Sequence, residues 1–261
     1  MQLYKLYRIM ISKNKIRLIH SLDTKKGRKT EGLFIAEGPK VVGDLLNINK
    51  AQSVFATKEW LTVNKDIEMM AKEIVEVTED ELRKISMLQH PQQVLALFDI
   101  NTTKCDTSAI NDRLCIALDG VQDPGNMGTI IRIADWFGIT DIYCSNDTAD
   151  VYNPKVVQAT MGSIARVNVC YTDLNELIDK LPEDTAIYGT LLDGDNIYNQ
   201  PLTSNGLIVM GNEGNGISNV IREKVNHKLL IPNYPIERDT ADSLNVAIAT
   251  ALVCSEFRRR T

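Results

Sequence analysis

Asp123-Pro124-Gly125-Asn126-Met127-Gly128-Thr129-Ile130-Ile131-Arg132-Ile133-Ala134 opens as a turn and continues as an apolar helix carrying a single charge. Proline fixes φ and glycine tolerates φ > 0, which is turn chemistry. Asn126 then stands where a helix N-cap is wanted. Arg132 sits among Ile130, Ile131, Ile133 and Ala134, and an arginine buried in such company needs an anion. Asp135, three residues on, is one partner within reach. A phosphate, which suits the guanidinium fork, is the other. The segment by itself leaves both open.

Working outward, apolar runs predict strands at 113–118, 140–144, 166–170, 185–190, 207–211 and 227–231. Helical patterns lie between them at 126–137, 153–161, 173–180, 218–225 and 242–258. Strands alternating with helices imply an α/β fold with a mostly parallel sheet. Ligands in such sheets bind beyond the carboxyl ends of the strands. The turns after 118, 190, 211 and 231 are therefore the places to look. Toward the N-terminus, a helix over 12–22, strands at 33–36, 52–56, 74–77 and 94–98, and a helix over 39–47 predict a smaller α/β unit. Thr78 and Glu81 form a capping-box pattern at the start of another helix. Residues 99–112 are polar and poor in aromatics, and read as a linker. The expected division is 1–100, a linker 101–112, and 113–261.

No apolar run approaches the ~20 residues that cross a bilayer, and Met1–Arg8 is too broken by charge for a secretory segment. The five cysteines Cys105, Cys115, Cys144, Cys170 and Cys254 are scattered and form no CxxC pair. This predicts reduced thiols in a cytoplasmic protein, with neither a disulfide framework nor structural zinc. His20, His90 and His227 are isolated, so no metal site is expected. Net charge is −5, yet the first 40 residues hold ten basic against three acidic side chains. A basic pole on an acidic body fits a phosphate-backbone footprint; a solvated helical face fits it too. Its members include Lys13, Lys15, Arg17, Lys25, Lys26, Arg28 and Lys29.

Two further segments carry chemistry. Gly211-Asn212-Glu213-Gly214-Asn215-Gly216 is a glycine-rich turn after a strand, able to bring backbone N–H groups close to a ligand. It is neither the Rossmann GxGxxG nor a P-loop. Glu213 inside it suits a hydroxyl, amine or cation rather than a phosphate. After 227–231, Pro232 leads to Ser243-Leu244-Asn245-Val246-Ala247-Ile248-Ala249. Ser243 is positioned as a helix N-cap, with Asn245 facing out of the first turn.

In order and placement, the three segments resemble the three motifs of the SpoU/TrmH family of RNA ribose 2′-O-methyltransferases, in the SPOUT superfamily. Asn126 and Arg132 match the first, Glu213 the second, and Ser243 and Asn245 the third. The N-terminal Phe34-Ile35-Ala36-Glu37-Gly38 and His90-Pro91-Gln92-Gln93-Val94 resemble the family's RNA substrate-binding domain, which is like a small RNA-binding ribosomal protein. The chain departs from the pattern in a longer 231–243 stretch, and in Asn233 where a methionine is expected.

The resemblance implies a deep trefoil knot in the C-terminal domain. It implies S-adenosyl-L-methionine held by backbone around Leu191, Gly211, Ile231 and Leu244, and a homodimer with sites at the subunit interface. The final helix (Val246, Ala249, Leu252, Val253) supplies either that interface or core. Methyl transfer would go to a ribose 2′-hydroxyl of RNA, ribosomal rather than transfer RNA. Arg132 would be the catalytic arginine, and Asn126, Glu213, Ser243 and Asn245 would orient it and the ribose. Whether Arg132 moves a proton or grips a phosphate stays open. A non-catalytic RNA-binding protein on the same scaffold is the alternative. A Rossmann-type nucleotide enzyme is disfavoured by the missing GxGxxG.

Overall fold

The computed structural model describes residues 11–101, 105–235 and 241–259. They form two compact units. The first runs to Asn101 and also takes in residues 150–165; the second holds the rest. The return of 150–165 to the first unit is a difference from the expected continuous second domain. Its basis is apolar: Val157 belongs to the first unit's core, and Tyr152 packs on Phe34 at 4.7 Å between ring centroids.

The first unit holds a four-stranded mixed sheet in the order β1-β4-β2-β3, with β1 Leu33–Glu37, β2 Ser53–Ala56, β3 Ile74–Glu76 and β4 Val94–Asp99. Side chains alternate between the faces of a strand, and here both faces are covered. Phe34, Ala36, Val54, Ala96 and Phe98 fill one core. Ile35, Phe55, Leu95 and Leu97 fill the other. This is why these strands read as continuous apolar runs. The capping box at Thr78 is formed, with Glu81 reaching back to the Thr78 backbone N–H at 2.9 Å.

The second unit holds a six-stranded, wholly parallel sheet in the order β10-β8-β9-β5-β6-β7. Its strands are β5 Leu114–Asp119, β6 Asp141–Cys144, β7 Asn168–Tyr171, β8 Ile187–Asn196, β9 Gly206–Gly211 and β10 His227–Leu230. The helices Pro124–Trp136 and Val246–Arg259 pack on each other. Hydrogen bonds join them at both ends. Asn245 Nδ2 donates to Asn126 Oδ1 at 2.9 Å, and Arg258 Nε donates to the Phe137 carbonyl at 2.8 Å.

Several expectations are corrected. Asp123, not Asn126, caps Pro124–Trp136: its Oδ1 accepts from Asn126 N at 2.7 Å. The final helix begins at Val246, and Asn245, not Ser243, supplies the capping oxygen, accepting from Ala247 N at 3.0 Å. Residues 25–31 form a helix that the sequence pattern did not suggest, and the linker ends in the short helix Ala109–Asp112 with Ala109 and Ile110 buried. Cys105 and Cys170, scattered in the sequence, face each other with Cα atoms 5.5 Å apart. Burial pushes the Cys115 and Cys254 thiols up to about 12. Thiols so raised are inert as nucleophiles. No helix among the described residues is long and apolar enough to cross a membrane, and no metal-holding group of His, Cys, Asp or Glu occurs among them.

Candidate active site

The site grows from the ends of the parallel strands. Beyond β9, Asn212 organises the glycine-rich turn. Its N–H and carbonyl exchange bonds with Gly216 at 2.9 Å each. Its Oδ1 accepts from Gly214 N and Asn215 N at 2.9 and 3.0 Å, and its Nδ2 donates to the Gly120 carbonyl at 2.7 Å. The loop amides expected to face a ligand are thus spent on Asn212. Gly216 sits at φ +69°, which favours glycine. A Cβ on Gly211 would collide with Gly216 and Ile217, so strand end and loop touch there. Asp119, at the end of β5, accepts from Ser218 N at 2.7 Å and closes the far side of the turn. Asn212 and Asp119 escaped the sequence reading; the Asx signal of an asparagine opening a Gly-rich turn was the available clue.

This braced turn presents Glu213 to the first motif. The Glu213 carboxylate accepts from Asn126 Nδ2 at 2.9 Å, and lies 3.4 Å from Gln122 N and Asp123 N. Asn126 Oδ1 in turn accepts from Asn245 Nδ2. The three motifs, far apart in the chain, are therefore linked side chain to side chain as Glu213–Asn126–Asn245. Each carboxamide uses its donor on one partner and its acceptor on the other, so both orientations are fixed.

Glu213 also lines a cavity of about 530 Å3 at the ends of β8, β9 and β10. Leu191, Gly211, Ile231 and Leu244, the four expected cofactor positions, all border it, and so does Ser243. The volume lies within the range of small-molecule sites. Leu191, Ile217, Ile231 and Leu244 give apolar walls for a nucleoside. Among the lining charges Asp193 pairs with Arg222 at 2.6 Å, and Glu213 and Asp242 add two further carboxylates, which suits a cationic ligand. The residues present thus fit S-adenosylmethionine, whose sulfonium is positive. Residues 236–240, within the lengthened loop, lie outside the described residues.

Arg132 stands apart from the cavity lining. It is exposed and has no hydrogen bond or ion pair to a described residue. Asp135, the local alternative, pairs instead with Arg166 at 2.7 Å. Of the basic pole, Lys13, Arg17, Lys25, Lys26 and Lys29 are exposed. Lys15 is paired with Glu73. Arg28 is buried, bonded to Asp150 Oδ2 at 2.6 Å and to the Leu22 and Asp23 carbonyls at 2.9 Å each. It is a structural residue rather than a surface contact. Lys5 and Arg8 lie outside the described residues.

Residues 113–255 match the SpoU rRNA Methylase family, and residues 13–96 match the MRM3-like substrate binding domain. The chain is 30% identical to the 23S rRNA (guanosine(2553)-2'-O)-methyltransferase RlmP of Bacillus subtilis (strain 168), over 94% of this chain and 96% of that one. Among solved structures, a TrmH-family chain from Porphyromonas gingivalis superposes with a TM-score of 0.84 at 37% identity. That match covers 97% of this chain and all of the other. An AdoMet-bound rRNA methyltransferase from Sinorhizobium meliloti gives 0.81 at 29% identity, covering 94% of each. Three motifs linked side chain to side chain beside one cavity, and these matches, lead to one statement: the chain belongs to the SpoU rRNA methylase family.

Proposed function

We propose that the chain methylates a ribose 2′-hydroxyl in ribosomal RNA, with S-adenosyl-L-methionine as cofactor. The observation that carries this reading is the Glu213–Asn126–Asn245 chain of hydrogen bonds at the edge of a cavity whose lining fits the cofactor. When bound, S-adenosylmethionine supplies a methyl group on a sulfonium. A ribose hydroxyl is a weak nucleophile, so the protein's work is positioning and charge stabilisation. Glu213 and Ser243, both bordering the cavity, face the reacting groups. Asn126 and Asn245 hold Glu213 in place. Arg132 is the RNA-facing cation: it is exposed and without a described partner. A guanidinium is a poor proton acceptor and a good phosphate fork, so its assigned role is to hold the phosphate beside the reacting ribose. Lys13, Arg17, Lys25, Lys26 and Lys29 add sequence-independent attraction for the backbone.

The reading extends to assembly and path. The enzyme works as a cytoplasmic homodimer. Ile248 and Leu252, one helical turn apart on Val246–Arg259, are exposed, whereas Val246 and Val253 are core. The chain beyond Ile231 takes the family's trefoil-knotted path. Support comes from family membership and from the convergence of the segments after β8, β9 and β10 on one cavity. The test is to map ribose methylation across ribosomal RNA from cells with and without the chain, and to restore the lost site with purified protein and S-adenosylmethionine. An unchanged map overturns the reading in favour of RNA binding without catalysis.

A further inference from the structure

The five cysteines fall into two groups, and both lie in the second unit. Cys115, Cys144 and Cys254 are buried, and burial pushes each of these thiols up. The thiolate is the reactive form, so these three are inert. Cys105 and Cys170 differ. Cys170 is buried on β7, the edge strand of the parallel sheet, and Cys105 is partly exposed in the segment that leads into the second unit. Their Cα atoms, 5.5 Å apart, fall inside the roughly 4.4–6.8 Å span that a disulfide bridges without backbone movement. They are 65 residues apart in the chain, and the sheet edge brings them together. Two further contacts hold the segment there. Tyr143 Oη donates to the Asp106 carbonyl, and Cys105 Sγ lies 3.9 Å from the Tyr171 carbonyl. Tyr143 on β6 and Cys170 on β7 are register partners, so their side chains rise from the same face. Cys105 packs against the core that holds both of them.

We propose that Cys105 and Cys170 are an oxidation-responsive pair, which closes to a disulfide and fastens the segment entering the second unit to the sheet edge. The oxidant is a low-molecular-weight disulfide of the glutathione type. Cys105, the accessible thiol, attacks one of its sulfurs as the thiolate. The S–S bond of the oxidant breaks, a mixed disulfide forms on Cys105, and one glutathione thiolate leaves. The Cys170 thiolate then attacks Cys105 Sγ, forms the Cys105–Cys170 bond and expels the second glutathione. The two protein thiols give up two electrons and two protons, and glutathione disulfide takes up both to become two thiols. Excess glutathione runs the steps in reverse. In a reducing compartment such a pair stands open and closes under oxidative load, as redox-sensing cysteines do. Closure restricts the unfolded chain, and the effect grows with the length of the loop enclosed. Neither cysteine lines the cofactor cavity. The stability of the second unit therefore follows the redox state, while cofactor affinity does not.

The experiment takes the full chain through glutathione buffers from fully reduced to fully oxidised, traps free thiols with N-ethylmaleimide, and maps non-reduced digests by mass spectrometry. Expected is a linked Cys105–Cys170 peptide that grows with the oxidised fraction of the buffer and disappears on adding dithiothreitol. Cys115, Cys144 and Cys254 should react with the maleimide only after denaturation. In calorimetry the transition of the second unit should rise by on the order of 10 °C in the oxidised form. Cys105→Ser, at the partly exposed position, should abolish both the link and the rise, and should bind S-adenosylmethionine as the parent does. Absence of the linked peptide at every buffer ratio overturns the proposal. So does glutathione that stays on Cys105, or a bridge from Cys105 to Cys115 instead. An oxidised form that melts together with the reduced one overturns the fastening. If Cys105→Ser folds poorly, the parent alone decides, because the link and the transition are both read on it with and without dithiothreitol.

Discussion

Asn126 is where the three motifs meet, and the arithmetic of its two bonds sets what its loss does. Replacing it with alanine frees Glu213 from its 2.9 Å donor and leaves Asn245 Nδ2 unpaired. Misplacing reacting groups by about 1 Å can cost on the order of 10²-fold in rate. Asn126→Ala is therefore expected to lower kcat by about that factor while S-adenosylmethionine binding persists. Asn126→Asp, which sets a second carboxylate against Glu213, is expected to be worse. A variant with near-parental kcat would refute the positioning role. Arg132→Ala tests the neighbouring claim: cofactor affinity by calorimetry should hold while methyl transfer is lost, and Arg132→Lys should not restore it, since an ammonium lacks the fork. The residue types at these positions were legible from sequence because turn chemistry, a lone charge and a Gly-rich loop each leave a local mark. Their connections were not. Glu213 lies 87 residues from Asn126, and Asn126 lies 119 from Asn245, gaps that only the order of strands in the sheet closes. The caps were misplaced because aspartate, asparagine and serine cap almost equally well. Local pattern could not decide between Asp123 and Asn126, or between Ser243 and Asn245.

At the scale of elements, the helix Lys25–Glu31 shows why a basic run should not be read as a single surface. Its sequence, Lys-Lys-Gly-Arg-Lys-Thr-Glu, has no apolar stripe and a glycine in the middle, so periodicity is silent. Gly27 is there because a Cβ would collide with the Ser21 carbonyl. Arg28 turns inward to Asp150, its side chain 3% exposed, while Lys25, Lys26 and Lys29 face solvent. The two kinds of cation should separate cleanly. Arg28→Ala leaves a carboxylate and two carbonyls unpaired, and is expected to destabilise by about 3 kcal/mol. Lys25→Ala or Lys29→Ala should leave Tm unchanged and reduce the slope of log affinity against log salt for RNA by about 0.7–0.9. A stable Arg28→Ala variant, or lysine variants with the parental slope, would contradict this division. Glu37, at the end of β1, is a second inward-facing charge. Burial raises its carboxyl above the usual 4.5, partly offset by bonds from Ser86 Oγ and Met87 N. The folded state then holds this proton more tightly than the unfolded chain, so stability is favoured at low pH and falls as pH rises above about 4.5 through the raised value. Thermal melts of Glu37→Gln should thus gain on the parent as pH climbs through that window. A constant difference across it would remove Glu37 as the cause.

For the whole molecule, the decisive surface is the helix pair Pro124–Trp136 and Val246–Arg259. The sequence assigned Val246, Ala249, Leu252 and Val253 to interface or core without choosing. The structure sorts them: Val246 and Val253 are buried, and Leu252 is 39% exposed. Ile248, one turn earlier, is 54% exposed, and Trp136 on the partner helix is 84% exposed. Large apolar side chains left outside a folded chain invite a partner when they cluster along one element. A symmetric interface would bury the same face on both copies. Arg132 strengthens the case. It borders no part of its own chain's cavity and pairs with no described residue, yet it shares a helix with Trp136 one turn away. If a second copy covers this face, Arg132 is carried toward that copy rather than toward solvent. The consequence is specific. Ile248→Glu with Leu252→Glu should convert the protein to monomers in sedimentation without lowering Tm greatly, since neither side chain is core. Methyl transfer should fall with dimerisation, while binding of short single-stranded RNA, assigned above to the exposed lysines of the first unit, should remain. Monomers that still methylate would show that each cavity is complete within its own chain, and would leave Arg132 to act where it stands.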